Sequence, residues 1–111
     1  MVYTSYFASR KYDKDNAISI ARWSPKWFSG KTAPELFLPK DLLLRYKNGE
    51  VTNEEYIKVY KEQVLNKLAP ISIAKKFDGP VLLCYEKSGD FCHRHIISKW
   101  LNENGFECEE L

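Results

Sequence analysis

The sequence predicts one α/β domain spanning residues 1–111: a small, mainly parallel sheet of about four strands with flanking helices, in two or three layers. Three observations carry this. Pro80 to Glu86 is a continuous apolar run behind a turn, the pattern of a strand buried on both faces. Two further segments near the start of the chain are rich in β-branched or alternating apolar residues. Between these strands and after the last of them lie stretches with helix start and stop signals.

Taken in order, Val2-Tyr-Thr-Ser-Tyr-Phe-Ala8 reads as the first strand. Asp13 to Asn16 is a polar turn, and Ala17-Ile-Ser-Ile-Ala21 alternates as a second strand ending at Arg22. Trp23 to Pro34 holds too much Pro and Gly for regular structure. A loop of that length in a small domain tends to be functional. Lys40 to Asn48 is a short helix stopped by Gly49, which suits the left-handed position after a helix. Thr52-Asn-Glu-Glu55 is a capping box opening a helix to about Leu68, with Tyr56, Ile57, Tyr60, Val64 and Leu68 on one face. Pro70 starts another helical stretch to Phe77, closed by Asp78-Gly79. After the buried strand, Lys87 to Asp90 is a turn. Phe91 to Asn104 is a helix with Asp90 at its start and Gly105 at its end, and Phe106 to Glu110 is a last short strand.

Composition narrows the class without choosing a function. Sixteen aromatic residues with five Gly and five Pro exclude a disordered chain. No apolar run is long enough to span a membrane, and the start lacks a signal-peptide pattern, so the expectation is a cytoplasmic protein with no membrane contact. The formal charge is +2, too balanced to announce a nucleic-acid binder. The distribution is uneven, with 17 basic against 11 acidic residues in 1–101 and four Glu with no base in 102–111. That pattern fits either a solvated face or a positive rim around an anion. Cys84, Cys92 and Cys108 make an odd count, which argues against a secreted disulfide framework and for free thiols, metal ligands or reactive groups. Cys108 reads as core filler in the last strand.

Ligands in open α/β sheets bind beyond the carboxyl ends of strands, where the next helix begins. Two such ends stand out: Arg22 with its loop, and Cys84-Tyr-Glu-Lys-Ser-Gly-Asp-Phe-Cys-His-Arg-His95. The unsatisfied amides and positive dipole at the helix start suit an anion, and Arg94 adds a fork for phosphate or carboxylate. His93 precedes Ile96, Ile97 and Trp100 at helical spacing and faces the core, as ligand donor, acid or base, or as a histidine held by a backbone carbonyl. His95 should face water. Cys92 is a nucleophile candidate, since the helix field lowers a thiol pKa, or a small buried group. Glu86 could orient His93 or Arg94, or simply pair with an arginine. Trp23, Trp27 and Phe28, beside Arg22 and Lys26, could stack a flat ring or cover the core. Four soft ligands within twelve residues raise a metal site, yet their spacing is not that of a zinc site and helical phase turns His93 from His95. No metal and no cofactor is expected.

The strand Val81-Leu-Leu-Cys-Tyr-Glu-Lys87 followed by Cys92-His-Arg94 resembles the signature of domain-of-unknown-function family 488. The second strand ending in Arg22, with Trp23-Ser-Pro25 behind it, fits the same pattern. An Asp often stands two residues before that Arg in the family; here Ile20 holds the position, so no acid role carries over. The resemblance implies a small α/β domain with Arg22, Cys84, Glu86, Cys92, His93 and Arg94 clustered at one sheet edge. It supplies no reaction.

The leading expectation is a site for an anionic small molecule or nucleic acid at the junction of strand 80–86 and helix 91–104, held by Arg22, Arg94, His93, Trp23 and Lys26. An enzyme acting on a phosphate-bearing substrate would use His93, Cys92 and Glu86. The alternatives are a thiol-based redox or nucleophilic enzyme using Cys92 with Cys84 resolving, and a non-enzymatic interaction module in which the Cys-His-Arg motif is structural. Whether the protein is an enzyme, and its oligomeric state, stay open at this level.

Overall fold

The apolar run becomes strand β4, Val81–Cys84, and all four of its residues are buried in the computed structural model, which describes residues 1–86 and 90–111. Burial on both faces follows from its place at the centre of a five-stranded, all-parallel sheet. The strands are β1 (Val2–Tyr6), β2 (Ala17–Ser19), β3 (Lys31–Thr32), β4 and β5 (Cys108–Glu110), in the order β3-β2-β4-β1-β5. Tyr3 to Tyr6 of β1 pair with Val81 to Cys84, and Ala17 to Ser19 of β2 flank the other side of β4. The class is the expected α/β fold, with one strand more.

That extra strand is β3, inside the stretch expected to be irregular. It is only two residues long and both are exposed, so its sequence carries no burial signal. Its approach to β2 needs Gly30, where a Cβ would fall 2.6 Å from the Phe28 ring and 3.1 Å from the Ala17 carbonyl oxygen.

The helices form one layer. They are α1 (Lys40–Lys47), α2 (Asn53–Gln63), α3 (Pro70–Lys76) and α4 (His93–Glu103). Leu82 and Cys84 of β4 face this layer, where Leu42, Tyr60, Ile73, Ile97 and Leu101 close over them. Val81 and Leu83 face the other way into a smaller cluster of Phe7, Tyr12, Ala17 and Ala21, with Phe28 and Leu111 packed against it. Among the described residues this second face is covered by loops and the chain end, which makes the architecture two-layered. The rings of Trp27 and Phe28 stand edge-on to Phe7, at centroid distances of 6.1 and 5.3 Å, as part of that cover.

Most helix signals hold. The Thr52 hydroxyl accepts the Glu55 amide at 3.1 Å, and Gly49 lies at φ +73° beyond α1. Two boundaries differ. α2 stops at Gln63 instead of about Leu68, with a 3-10 turn at Leu65–Lys67 followed by extended backbone at Leu68 and Ala69, the latter the geometry that Pro70 requires of the residue before it. Leu65, and not Val64 or Leu68, is thereby the fully buried residue of this segment. α4 begins at His93, with Cys92 and not Asp90 at the capping position. Of the turn expected at Lys87–Asp90, Lys87, Ser88 and Gly89 lie outside the described residues. No helix is long and apolar enough to cross a membrane among the described residues.

Central burial sets the energetic scale. Leu82→Ala should lower the unfolding free energy by about 2–5 kcal/mol, whereas Leu44→Ala, at a 44% exposed helix position, should change it by less than about 0.5 kcal/mol. Urea titration of both variants checks the contrast.

Candidate functional site

The motif residues gather at the carboxyl ends of β2 and β4, in the middle of the sheet and not along its lateral edge. Past β2, the Ile20 amide still pairs with the Leu83 carbonyl at 2.9 Å, while the Ile20 carbonyl accepts from His93 Nε2, also at 2.9 Å. A carbonyl only accepts, so Nε2 carries the proton and Nδ1 keeps its lone pair. Nδ1 lies 3.7 Å from Cys92 Sγ, and the ring meets Tyr60 edge-on at 5.6 Å. The inward orientation expected from helical phase is observed, with His93 4% exposed. Burial drives its pKa down to about 4; the Ile20 carbonyl opposes this and the Arg94 cation adds to it. The imidazole is therefore neutral at pH 7.

Arg94 has a different place from the one expected. It is fully buried and all three nitrogens donate to the protein itself. Nε reaches the Glu110 carboxylate oxygens at 3.0 and 3.2 Å and Nη2 reaches one of them at 2.8 Å. Nη1 donates to the Glu86 carbonyl at 2.6 Å and lies 2.9 Å from Cys84 Sγ. Thr4 also donates to Glu110, at 2.6 Å. Arg94 thus binds α4 to β4 and β5, and its fork is not open to an external anion.

Arg22 does not converge on it. Its Nε and Nη2 donate to the Leu38 carbonyl at 3.2 and 2.9 Å, and the guanidinium stands over the Phe37 ring. At the start of α4 the His95 amide already donates to the Cys92 carbonyl at 3.1 Å, within the protein itself. Burial, with the Glu86 carboxylate and Tyr46 adding to it, raises the Tyr56 pKa far above its ordinary value, so this phenol stays protonated.

A cleft of about 600 Å³ opens beside these groups. Arg22, Trp23, Glu86 and His93 line it, as does Cys84; Lys26, Cys92 and Arg94 do not. Its other walls are residues that sequence reasoning left out of the site. Tyr46 and Lys47 come from α1, Tyr56 from α2, and Tyr85 and Phe91 from the segments around the motif. Tyr46, Tyr56 and Phe91 pack as a ring trio with centroid distances of 4.7–5.6 Å. Tyr56 was visible as one face of an amphipathic helix, which marks core and cleft wall alike. A second hollow of about 400 Å³ at the amino ends of the strands is lined by Ile71, Ala74, Lys75, Asp78 and Phe106, among others, and by no cysteine, histidine or arginine. Of the candidate site residues, Arg22, Trp23, Glu86 and His93 border the first hollow and none borders the second.

The sulfurs of Cys84 and Cys92 are in bonding contact as a disulfide, and Cys108 is the free cysteine. The three cysteines, expected as free thiols, metal ligands or reactive groups, are thus a covalent pair at two positions and a free thiol at the third. The reason is local: Cys92 precedes the helix with extended backbone, φ −156° and ψ 151°, and reaches back over the last residue of β4. Glu86 itself is exposed, and its backbone carbonyl, not its carboxylate, is what Arg94 contacts. His95, expected to face water, is half-buried, and its Nε2 is enclosed without a partner among the described residues. Burial and the Arg94 charge lower its pKa, against Glu110, the Asp90 backbone and Glu86.

A family model described as DUF488-N3a, active DUF488-N3 subclade, matches residues 2–105. No curated protein and no solved structure matches the chain.

Two outcomes follow from the buried charges. An unfolded histidine titrates near 6.5 and folded His93 at about 4, so the unfolded chain binds the extra proton between those values. Stability is complete above pH 6.5 and declines as pH falls toward 4, by up to about 3 kcal/mol for His93 in the disulfide-bonded chain. Urea titrations across that window should show the slope shrink in His93→Gln, with a smaller remainder from His95. Glu110→Gln should cost about 3–5 kcal/mol, because it leaves the Arg94 charge enclosed without a counter-charge. Asp41→Asn, which removes the exposed Arg45 pair at 3.9 Å, should cost less than about 0.5 kcal/mol in the same assay.

Proposed function

The chain belongs to the DUF488-N3a family, and on that footing we propose that its cleft binds a phosphate-bearing molecule with a flat ring, a nucleotide by chemical class. One observation carries the reading: a single cleft brings Arg22 and Lys47 together with the rings of Trp23, Tyr46, Tyr56, Tyr85 and Phe91. Aromatic walls suit a base, which offers a π-face on each side, and two cations at the rim suit a phosphate. Among the described residues Leu38 takes only Nε and Nη2 of Arg22, which leaves Nη1 for this purpose. Glu86 at the same cleft favours one or two phosphate charges over a long anion, and the cleft volume fits a mononucleotide better than a strand of nucleic acid.

The subclade is described as active, which supports chemistry beyond binding. The groups available for it are the Glu86 carboxylate, the neutral His93 imidazole and the protonated Tyr56 hydroxyl. Of these, Glu86 is the base that solvent and substrate reach, and Tyr56 the donor.

A second reading, thiol-based redox or nucleophilic chemistry, is favoured by the Cys84–Cys92 bond beside that cleft. It would run with the cysteines in reversed roles. Cys84 lines the cleft and Cys92 does not, so an incoming thiolate would attack Cys84 Sγ, forming a mixed disulfide and releasing Cys92 as the thiolate.

Calorimetric titration with mononucleotides, a single-stranded oligonucleotide and inorganic phosphate tests the nucleotide reading. A mononucleotide should bind more tightly than phosphate, and Arg22→Ala should weaken it about tenfold or more, near 1.4 kcal/mol. Lys47→Ala should weaken it less, and Lys26→Ala, outside the cleft, should leave it unchanged. Equal affinity in Arg22→Ala, Lys47→Ala and the parent would overturn the assignment.

A further inference from the structure

We infer that, once the Cys84–Cys92 bond is reduced, Cys84 Sγ, Cys92 Sγ and His93 Nδ1 hold one thiophilic divalent ion of the zinc class, with a fourth coordination position facing the cleft. The three donor atoms already lie within 4.8 Å of one another, and all three residues are buried. Helical phase, which parts His93 from His95, does not part His93 from Cys92, because Cys92 is extended and stands before the helix. A residue pair that looks unfit in a helix is therefore fit here.

The histidine is prepared for ligation. A metal-bound imidazole commonly donates its other N–H to a carbonyl or carboxylate, which fixes the tautomer and aims the lone pair. Nε2 of His93 makes that bond to the Ile20 carbonyl at 2.9 Å, leaving Nδ1 on the sulfur side.

The electrostatics agree. Two enclosed thiolates need two positive charges, and the nearest cation is Arg94, 2.9 Å from Cys84 Sγ. Arg94 is already matched by Glu110. A dication neutralises the thiolates and leaves the whole buried group without net charge, with Arg94 donating to a metal-bound sulfur. Spacing agrees as well. The Cα atoms are 7.5 Å apart, beyond the roughly 4.4–6.8 Å that disulfides usually span. Sulfurs each about 2.3 Å from a tetrahedral ion sit about 3.8 Å from each other and suit a wider spacing. Because Cys84 and His93 line the cleft, the remaining position points where a small molecule enters. Two sulfurs, one imidazole and an open site form a donor set that zinc uses in catalysis. The inference stands whether or not the cleft takes a nucleotide.

The chemistry balances. A phosphine reductant takes up an oxygen atom from water as it cleaves the S–S bond, giving phosphine oxide and two thiols. Ion binding then releases the two thiol protons to solvent.

The full chain is reduced with a phosphine until three thiols titrate, for Cys84, Cys92 and Cys108, and then given cobalt(II) and zinc(II). One cobalt per chain should bind with an ultraviolet thiolate-to-cobalt charge-transfer band that zinc abolishes. The disulfide-bonded chain should show no such band. Cys108→Ser should behave as the parent, Cys84→Ser and Cys92→Ser should lose the band, and His93→Gln should weaken zinc about tenfold or more. A fully reduced parent that takes up neither ion, or uptake that disappears in Cys108→Ser, would sink the inference. The comparison of reduced with oxidised parent decides the matter even where a variant does not fold.

Discussion

A guanidinium removed entirely from water must be answered donor by donor, and the site is arranged around that requirement at Arg94. Its partners come from three places: the Glu110 carboxylate on β5, the Glu86 carbonyl beyond β4, and the Cys84 sulfur at the end of β4. Satisfying them sets the depth and rotation of α4 against the sheet. His93, one residue earlier, is then carried to the Ile20 carbonyl, and Cys92 to Cys84. The interaction is structural in its direct effect and functional through what it positions. Buried ion pairs of this kind add little net stability over an apolar substitute, but they penalise heavily any arrangement that leaves one member alone. That penalty is a source of geometric specificity, and here it fixes the cleft wall.

The same requirement accounts for the way the chain closes. β5 pairs with β1 over only three residues. Cys108 packs against the helix-side core, and the polar attachments are Glu110 to Arg94 and Thr4, and the Asn102 side chain, which accepts the Cys108 amide at 2.9 Å and donates to the Cys108 carbonyl at 3.1 Å. A strand too short to be held by apolar burial alone is held also by one charge pair and by side-chain hydrogen bonds. The acidic end of the sequence is thus the counter-charge of the motif arginine, not merely a solvated tail.

The central strand was legible because a residue buried on both faces has no polar alternative, so Val81 to Cys84 could hardly be anything else. The Thr52 cap, the Gly49 stop and the inward turn of His93 were legible because each depends on neighbours within about one turn of helix. What was not legible depends on distance along the chain. Nothing local tells that Glu110 and not a ligand takes Arg94, or that the Ile20 carbonyl is what holds the His93 ring, since those partners come from separate elements. The cleft's aromatic walls escaped for the same reason: Tyr46 and Tyr56 sit on the inner faces of their helices, where core and cavity lining share one pattern. β3 escaped for the opposite reason, being too short and exposed to leave a pattern at all.

The balance of charge at the site finally decides what the cleft can favour. Buried Arg94 is matched by the half-buried Glu110 carboxylate, and His93 is neutral, so the three together carry no net charge toward the cleft. Among the described residues the cleft's own charges are Arg22, Lys47 and Glu86, two positive and one negative. Under the nucleotide proposal such a rim would attract an anion modestly and leave discrimination to shape, which five aromatic side chains supply. Any ion held by Cys84, Cys92 and His93 would be compensated by its own two thiolates, and so would alter the chemistry available at the cleft floor more than the cleft's net charge. Arg22 has the position that couples these features: it lies past β2, two residues beyond the carbonyl that aims His93, and among the described residues keeps one nitrogen for the cleft. The rim guanidinium and the imidazole orientation at the floor therefore share one short stretch of backbone, Ile20 to Arg22, and a displacement of that stretch would disturb both together.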